Sequence, residues 1–341
     1  MTQDHRPGND TPPDRPDEPD RPDEPGRPDE PDRPDEPDRP NEPDRPNEPD
    51  RDPRPFLLLP YDDLLDDGTR PLPPSVVSWL APALQISVDG IPYTGGKLPR
   101  DRATQVAVKV ANRGDKDARA LISLYWAVPT PTFSGASLML DGVSGPVWVD
   151  VPRRSSVAPG LALAGPFLFT PPEKLTHVCL LAQITAGDAG APGVLDPVMN
   201  RHYAQHNVDI ETVPAGKTAS LVFQVNNPFH VPARALIRLR AADEAALPSL
   251  QRLYRAQAVP LRQDAFAVQQ LADAEGNQQR RELVMELGES ERRLCQGLVS
   301  SEGLQRGQFG AGQVEVLISP LQQDAREPER IGTLGVIVFA S

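Results

Sequence analysis

The sequence predicts a mainly β protein, built as two antiparallel two-sheet sandwiches in tandem behind a disordered N-terminal tail. Three observations lead there. Apolar side chains recur at every second residue through much of residues 83–341, the period of a half-buried strand. Turn-forming residues break these runs at short intervals. The tail, residues 1–55, holds 17 of the 41 prolines and has no aliphatic residue, Phe, Tyr or Trp after Met1.

The tail comes first in the chain. From Asp14 it repeats the hexad D-R-P-D-E-P, with proline at every third position from Pro16 to Pro49. Three residues per turn is the period of polyproline II, so the prolines share one edge. Asp17, Asp20, Asp23, Asp29 and Asp32 lie on the second edge, while Arg15, Glu18, Arg21 and Glu24 alternate on the third. Proline excludes an α-helix here, and a segment with nothing apolar to bury cannot offset its ordering entropy. Extended, Asp14 to Arg51 would span roughly 100 Å. The repeat reads as a spacer or as a multivalent ligand built on recurring P-x-x-P.

Charge separates tail from body. Residues 1–55 carry 19 acidic and 9 basic side chains, or −10 of the chain's −13, leaving −3 for residues 56–341. An excess of this sign repels phosphate, so nucleic acid is not an expected partner. No apolar run is long enough to span a bilayer, and Met1 to Pro13 has no apolar core of a secretory signal. A cytoplasmic location is the default expectation, with signal-independent export left open.

Residues 56–82 read as an apolar and proline-rich linker. Phe56, Leu58, Tyr61, Leu64 and Leu65 are its candidate docking residues, set among paired aspartates at 62–63 and 66–67. Either this stretch packs against the following module or it docks on a partner. The aspartates lack the alternating spacing of a calcium loop.

The first module is expected over residues 83–213. Leu84, Ile86 and Val88 alternate before an Asp89-Gly90 turn; Val106, Val108 and Val110 form the next run. Asn112 to Asp115 supplies a turn, and Ala120, Ile122, Leu124 and Trp126 alternate after it. Further strands are expected at 147–151, 161–169, 177–184 and 202–210. The stretch V-A-V-K-V-A-N-R-G-D-K-D-A-R-A-L-I-S-L-Y-W-A (106–127) resembles bacterial immunoglobulin-like modules of the CARDB type, which share the strand, N-x-G-D turn and second strand. Residues 177–184 and 202–208 are similar to the closing strands of related domains. The resemblance covers about 130 residues, and it implies an immunoglobulin-like sandwich that serves as spacer, adhesion unit or enzyme appendage.

The second module, 214–341, is expected to be a second immunoglobulin-like sandwich with helical insertions. Strands are expected at 219–225, 235–240, 314–318 and 332–339. Leu247, Leu250 and Tyr254 have helical spacing, with Pro248 suited to a first turn. Leu283, Met285 and Leu287 alternate as a strand, and 290–298 fits either state.

Chemistry leaves few candidates. His202 and His206 share a face of their expected strand, with His177 on its neighbour, a geometry that zinc would need completed by a further ligand. Hydrogen-bonded structural histidines fit better, so no metal and no cofactor is expected. Cys179 lies in an apolar strand and reads as inert. Cys295 follows Arg292 and Arg293, which would lower its pKa if it were exposed. The expected function is a non-enzymatic interaction or adaptor protein for a protein or carbohydrate partner. A structural subunit of a larger phage-like or cell-surface assembly is the alternative.

Overall fold

The computed structural model describes residues 54–62, 65–93, 102, 104–172, 177–186, 195–208, 211–271, 281–321 and 329–341. The repeat tail up to residue 53 lies outside these residues, as does Leu64.

The first sandwich uses nine strands: β1 (Leu57–Leu58), β2 (Leu84–Val88), β3 (Ile91–Pro92), β4 (Thr104–Asn112), β5 (Ala118–Ala127), β6 (Val147–Val151), β7 (Gly160–Phe169), β8 (Val178–Ala186) and β9 (Tyr203–Val208). One sheet centres on β4. Strand β7 runs along one edge of it, while β1 and β2 share the other end to end, with β3 outside β2. The second sheet has the order β6-β5-β8-β9. Period-two alternation drives Val106, Val108 and Val110 inward against Ile122, Leu124 and Leu180, all within 1% of complete burial. Asp89 (φ 51°) and Gly90 (φ 78°) form the two-residue turn between β2 and β3, with the left-handed backbone that Asp-Gly favours.

The second sandwich follows directly. Its elements are β10 (Glu211–Val213), β11 (Thr218–Asn226), β12 (Ala233–Ala241), α1 (Leu247–Tyr254), β13 (Gln257–Ala258), β14 (Phe266–Gln270), β15 (Glu282–Leu287), β16 (Arg292–Ser300), β17 (Gln308–Pro320) and β18 (Glu329–Ala340). One sheet has the order β10-β18-β17-β12-β15, with β13 also on β17; the other has the order β11-β16-β14. The module's first strand, β10, pairs parallel with its last, β18, while the main ladders are antiparallel. The chain is thus mainly β, two immunoglobulin-like sandwiches in tandem. Its α-helix among the described residues, α1, starts with Pro248 in its first turn, where a missing N–H costs nothing.

Residues 56–82, expected as a linker, are structural parts of both modules. Leu57, Leu58 and Leu59 are fully buried, and β1 pairs with the end of β4. Farther along, Trp79 O accepts from Asn207 N (3.0 Å) and Ala81 N donates to Gln205 O (2.9 Å), so this segment also borders β9. The chain then crosses to the other sheet as β2. Strand β10, placed by the sequence at the end of the first module, belongs to the second module's sheet.

The two modules meet over a dry contact. Trp79, 3% exposed, packs with Leu247, Leu250, Phe309, Ala311 and Ile337 of the second sandwich. A Cβ on Gly335 would overlap the Trp79 indole, so glycine is required for this approach. Polar pairs flank it: Ser78 Oγ and Thr333 Oγ1 lie 2.9 Å apart, and Asn207 Nδ2 donates to Gly335 O at 3.3 Å. Asn226 donates from its backbone N to Thr132 Oγ1 (2.6 Å) and from Nδ2 to Thr132 O (2.6 Å). On β8, Leu180 and Ala182 face the first core, whereas Cys179 and Leu181 join the core of the second. Burial on both faces explains the unbroken apolar run V-C-L-L-A.

The candidate functional site is a cleft at the module junction

A concave site forms where the strap of residues 61–82 faces helix α1. Local hydrogen bonding shapes the strap. Asp66 accepts from Tyr61 N (2.9 Å) and Gly68 N (3.0 Å) and holds Arg70 in an ion pair at 2.9 Å, with both side chains less than a tenth exposed. Asp62 Oδ1 accepts from Leu65 N at 2.8 Å, and Asp67 Oδ1 from Thr69 N at 2.8 Å. Asp62, Asp66 and Asp67 are therefore turn-makers, the common use of a short carboxylate beside free backbone N–H groups.

These turns lift Leu65 to 82% exposure at the cleft rim, with Tyr61 below it. The Tyr61 hydroxyl donates to Ser78 O at 2.7 Å, and burial raises its pKa well above the usual tyrosine range. Leu72 N donates to Val198 O (2.9 Å), tying the strap to the first sandwich. Pro71, Val76 and Leu80 continue the apolar wall, and Leu250 with Leu253 of α1 forms the other side. Leu253 is 41% exposed. The cleft has a volume of about 630 Å³, within the range that holds a ligand or several anchoring side chains.

The five docking residues expected from sequence separate here. Leu58 is a core residue of the first sandwich and is not offered to a partner. Phe56 is half-buried, its ring stacked 4.1 Å from the Arg201 guanidinium. Both are turned inward because Phe56 N donates to Asn112 Oδ1 (3.0 Å) and β1 closes the edge of β4. Tyr61 and Leu65 line the cleft, and Leu64 lies outside the described residues. Leu80 and Leu253 had no functional signal in the sequence, because the cleft joins segments almost two hundred residues apart.

The remaining candidates have structural settings. His202 precedes β9, and His206 and Ala204 point into the first sandwich. His206 pairs across the ladder with Leu180, and four strand residues separate its register from His202, roughly 13 Å of extended chain. The imidazoles do not converge, and among the described residues no group of three or more His, Cys, Asp or Glu side chains could hold a metal ion. Burial holds His177 and His206 down at about 4. Cys295 is fully buried; desolvation outweighs the attraction of Arg293 and pushes its thiol up to about 12, so Arg292 and Arg293 do not activate it. Cys179 is likewise buried and pushed up to about 12.

No family model matches the chain, and no curated protein matches it significantly. Among solved structures, the CupB6 tip adhesin from Pseudomonas aeruginosa is similar over 76% of this chain and 96% of its own, at 12% identity and a TM-score of 0.24. The trypsin-activated alpha-2-macroglobulin from Escherichia coli aligns with 75% of this chain and 18% of its own, at 10% identity and a TM-score of 0.23. CfaE, the adhesive subunit of CFA/I fimbria of enterotoxigenic Escherichia coli, aligns over 76% and 84%, at 10% identity and a TM-score of 0.20. Likenesses this distant carry no argument about what this chain binds.

Proposed function

We propose that the chain is a non-enzymatic binding protein, an adaptor whose protein partner seats in the cleft between the 61–82 strap and α1. One observation carries this reading. At the junction of the two sandwiches, Leu65 and Leu253 stand exposed on opposite walls of one apolar cleft. Large side chains exposed together around a concavity mark recognition surfaces more often than packing faults. The resemblance of residues 106–127 to CARDB-type modules belongs with the same proposal, since it implies a spacer, adhesion unit or enzyme appendage.

Affinity capture with the full chain tests it, comparing wild type with a Leu65→Asp/Leu253→Asp variant of unchanged melting temperature. Proteins captured by wild type and lost by the variant support the reading. An identical set from both contradicts it.

Edge strand β7 favours a second reading, a subunit of a larger assembly. Leu161, Leu163 and Leu168 project from its outer face at 43%, 57% and 50% exposure. The end of β7 is already bonded, Leu168 O accepting from Ser144 N and Thr170 N donating to Gly142 O, so the apolar edge open to another strand is residues 160–167. A defined oligomer in a solution mass measurement, lost on Leu163→Lys, would support assembly; a monomer leaves the adaptor.

A further inference from the structure

We infer that the partner segment received by the cleft is cationic as well as apolar, an amphipathic peptide whose leucine-like anchors enter between Leu65 and Leu253 while its lysines or arginines face the strap. This rests on reading the cleft as the partner site. The charge pattern of the lining carries the inference. Asp62, Asp66 and Asp67 line the cleft, and among the described residues no lysine or arginine does. Arg70 compensates Asp66 from within the strap. Asp62 and Asp67 are exposed at the rim. The backbone N–H of Thr69, donated to the Asp67 carboxylate, and the nearby Arg113 guanidinium both favour its ionised form.

A ligand charge near such a rim is attracted by each aspartate, and salt screens that attraction. Apolar anchors supply the larger part, through the surface they remove from water. An anionic segment gains the second term and loses the first. The chain's own tail, at −10 over residues 1–55, is therefore a poor occupant. The two walls come from different modules, so an elongated segment lying along the cleft touches both, in the manner of a helix in a groove.

The test uses the full chain and fluorescein-labelled synthetic amphipathic peptides of leucine with lysine, with glutamine or with glutamate, followed by fluorescence anisotropy. The leucine/lysine peptide should bind about tenfold tighter than the leucine/glutamine peptide, and the leucine/glutamate peptide more weakly still. Asp62→Asn/Asp67→Asn should narrow the gap between the lysine and glutamine peptides severalfold and lower the salt dependence of the lysine peptide relative to wild type. The acidic tail is present in every arm, so its own attraction for lysine cancels in that comparison. Leu65→Ser/Leu253→Ser should weaken all three peptides, with melting temperatures confirming that both variants fold. Equal binding of the three peptides, or no response to the asparagine pair, overturns the cationic inference while the cleft reading stands. No response to the serine pair, or no binding of any peptide, overturns the cleft reading itself.

Discussion

Trp79 shows how one side chain joins the modules. It comes from a segment that reads as a linker, yet it is 3% exposed against the second sandwich and lies over Gly335. Trp79→Ala removes a large buried ring from a contact with no spare volume, and should cost about 3–5 kcal/mol in urea unfolding. The thiols give a second prediction at this scale. With both pushed up to about 12 and fully buried, Cys179 and Cys295 should not react with a disulfide reagent in the folded chain, and both should react once it is denatured. The histidines give a third. His177 and His206 stay neutral in the fold down to about 4, whereas in the unfolded chain they protonate near 6.5. The unfolded state then binds more protons, so stability should fall as pH drops from about 6.5 to 4, by on the order of 2 kcal/mol for each ring, and level off below. Urea melts across this range check it, and His206→Gln should flatten the slope.

Asn112 anchors an element whose role the sequence shows only in part. Its Oδ1 accepts from Phe56 N (3.0 Å) and Gly114 N (2.9 Å), and its Nδ2 donates to Lys116 O (2.9 Å). Asp115 Oδ1 accepts from Arg54 N (2.7 Å), and Asp117 Oδ1 from Arg153 N (2.7 Å). The N-x-G-D turn is thus a clasp that closes β1 onto β4 and holds the loop between β6 and β7. Asn112→Ala leaves several buried partners unsatisfied and should cost about 2–3 kcal/mol in thermal or urea unfolding. Elements with strict alternation, such as β4, β5, β11 and β12, were legible because side-chain period alone specifies them. Strand β1 was not: two residues carry no period, and only pairing with Ala111 and Asn112 makes Leu57 and Leu58 a strand. Strand β14 ends in Gln269 and Gln270, whose polarity hides its register on β16. The paired aspartates of 62–67 were conspicuous, but the turns they make could not be read without the N–H groups they cap.

At the scale of the whole molecule, side chains of the first sandwich join the core of the second. Phe133, Cys179, Leu181 and Tyr203 of the first cluster with Phe223, Val225 and Ile237 of the second. Calorimetry should therefore show a single unfolding transition, which Trp79→Ala should split or broaden. Fold class followed from alternation and turns. The cleft did not, because it exists only once a strap at 61–82 and a helix at 247–254 are brought face to face by that packing. Hydrogen exchange of the full chain with the leucine/lysine peptide bound tests the account most directly. Protection should rise in residues 65–82 and in 247–254 together, with β7 unchanged. Protection confined to one module, or centred on β7, would contradict a binding cleft built at the junction.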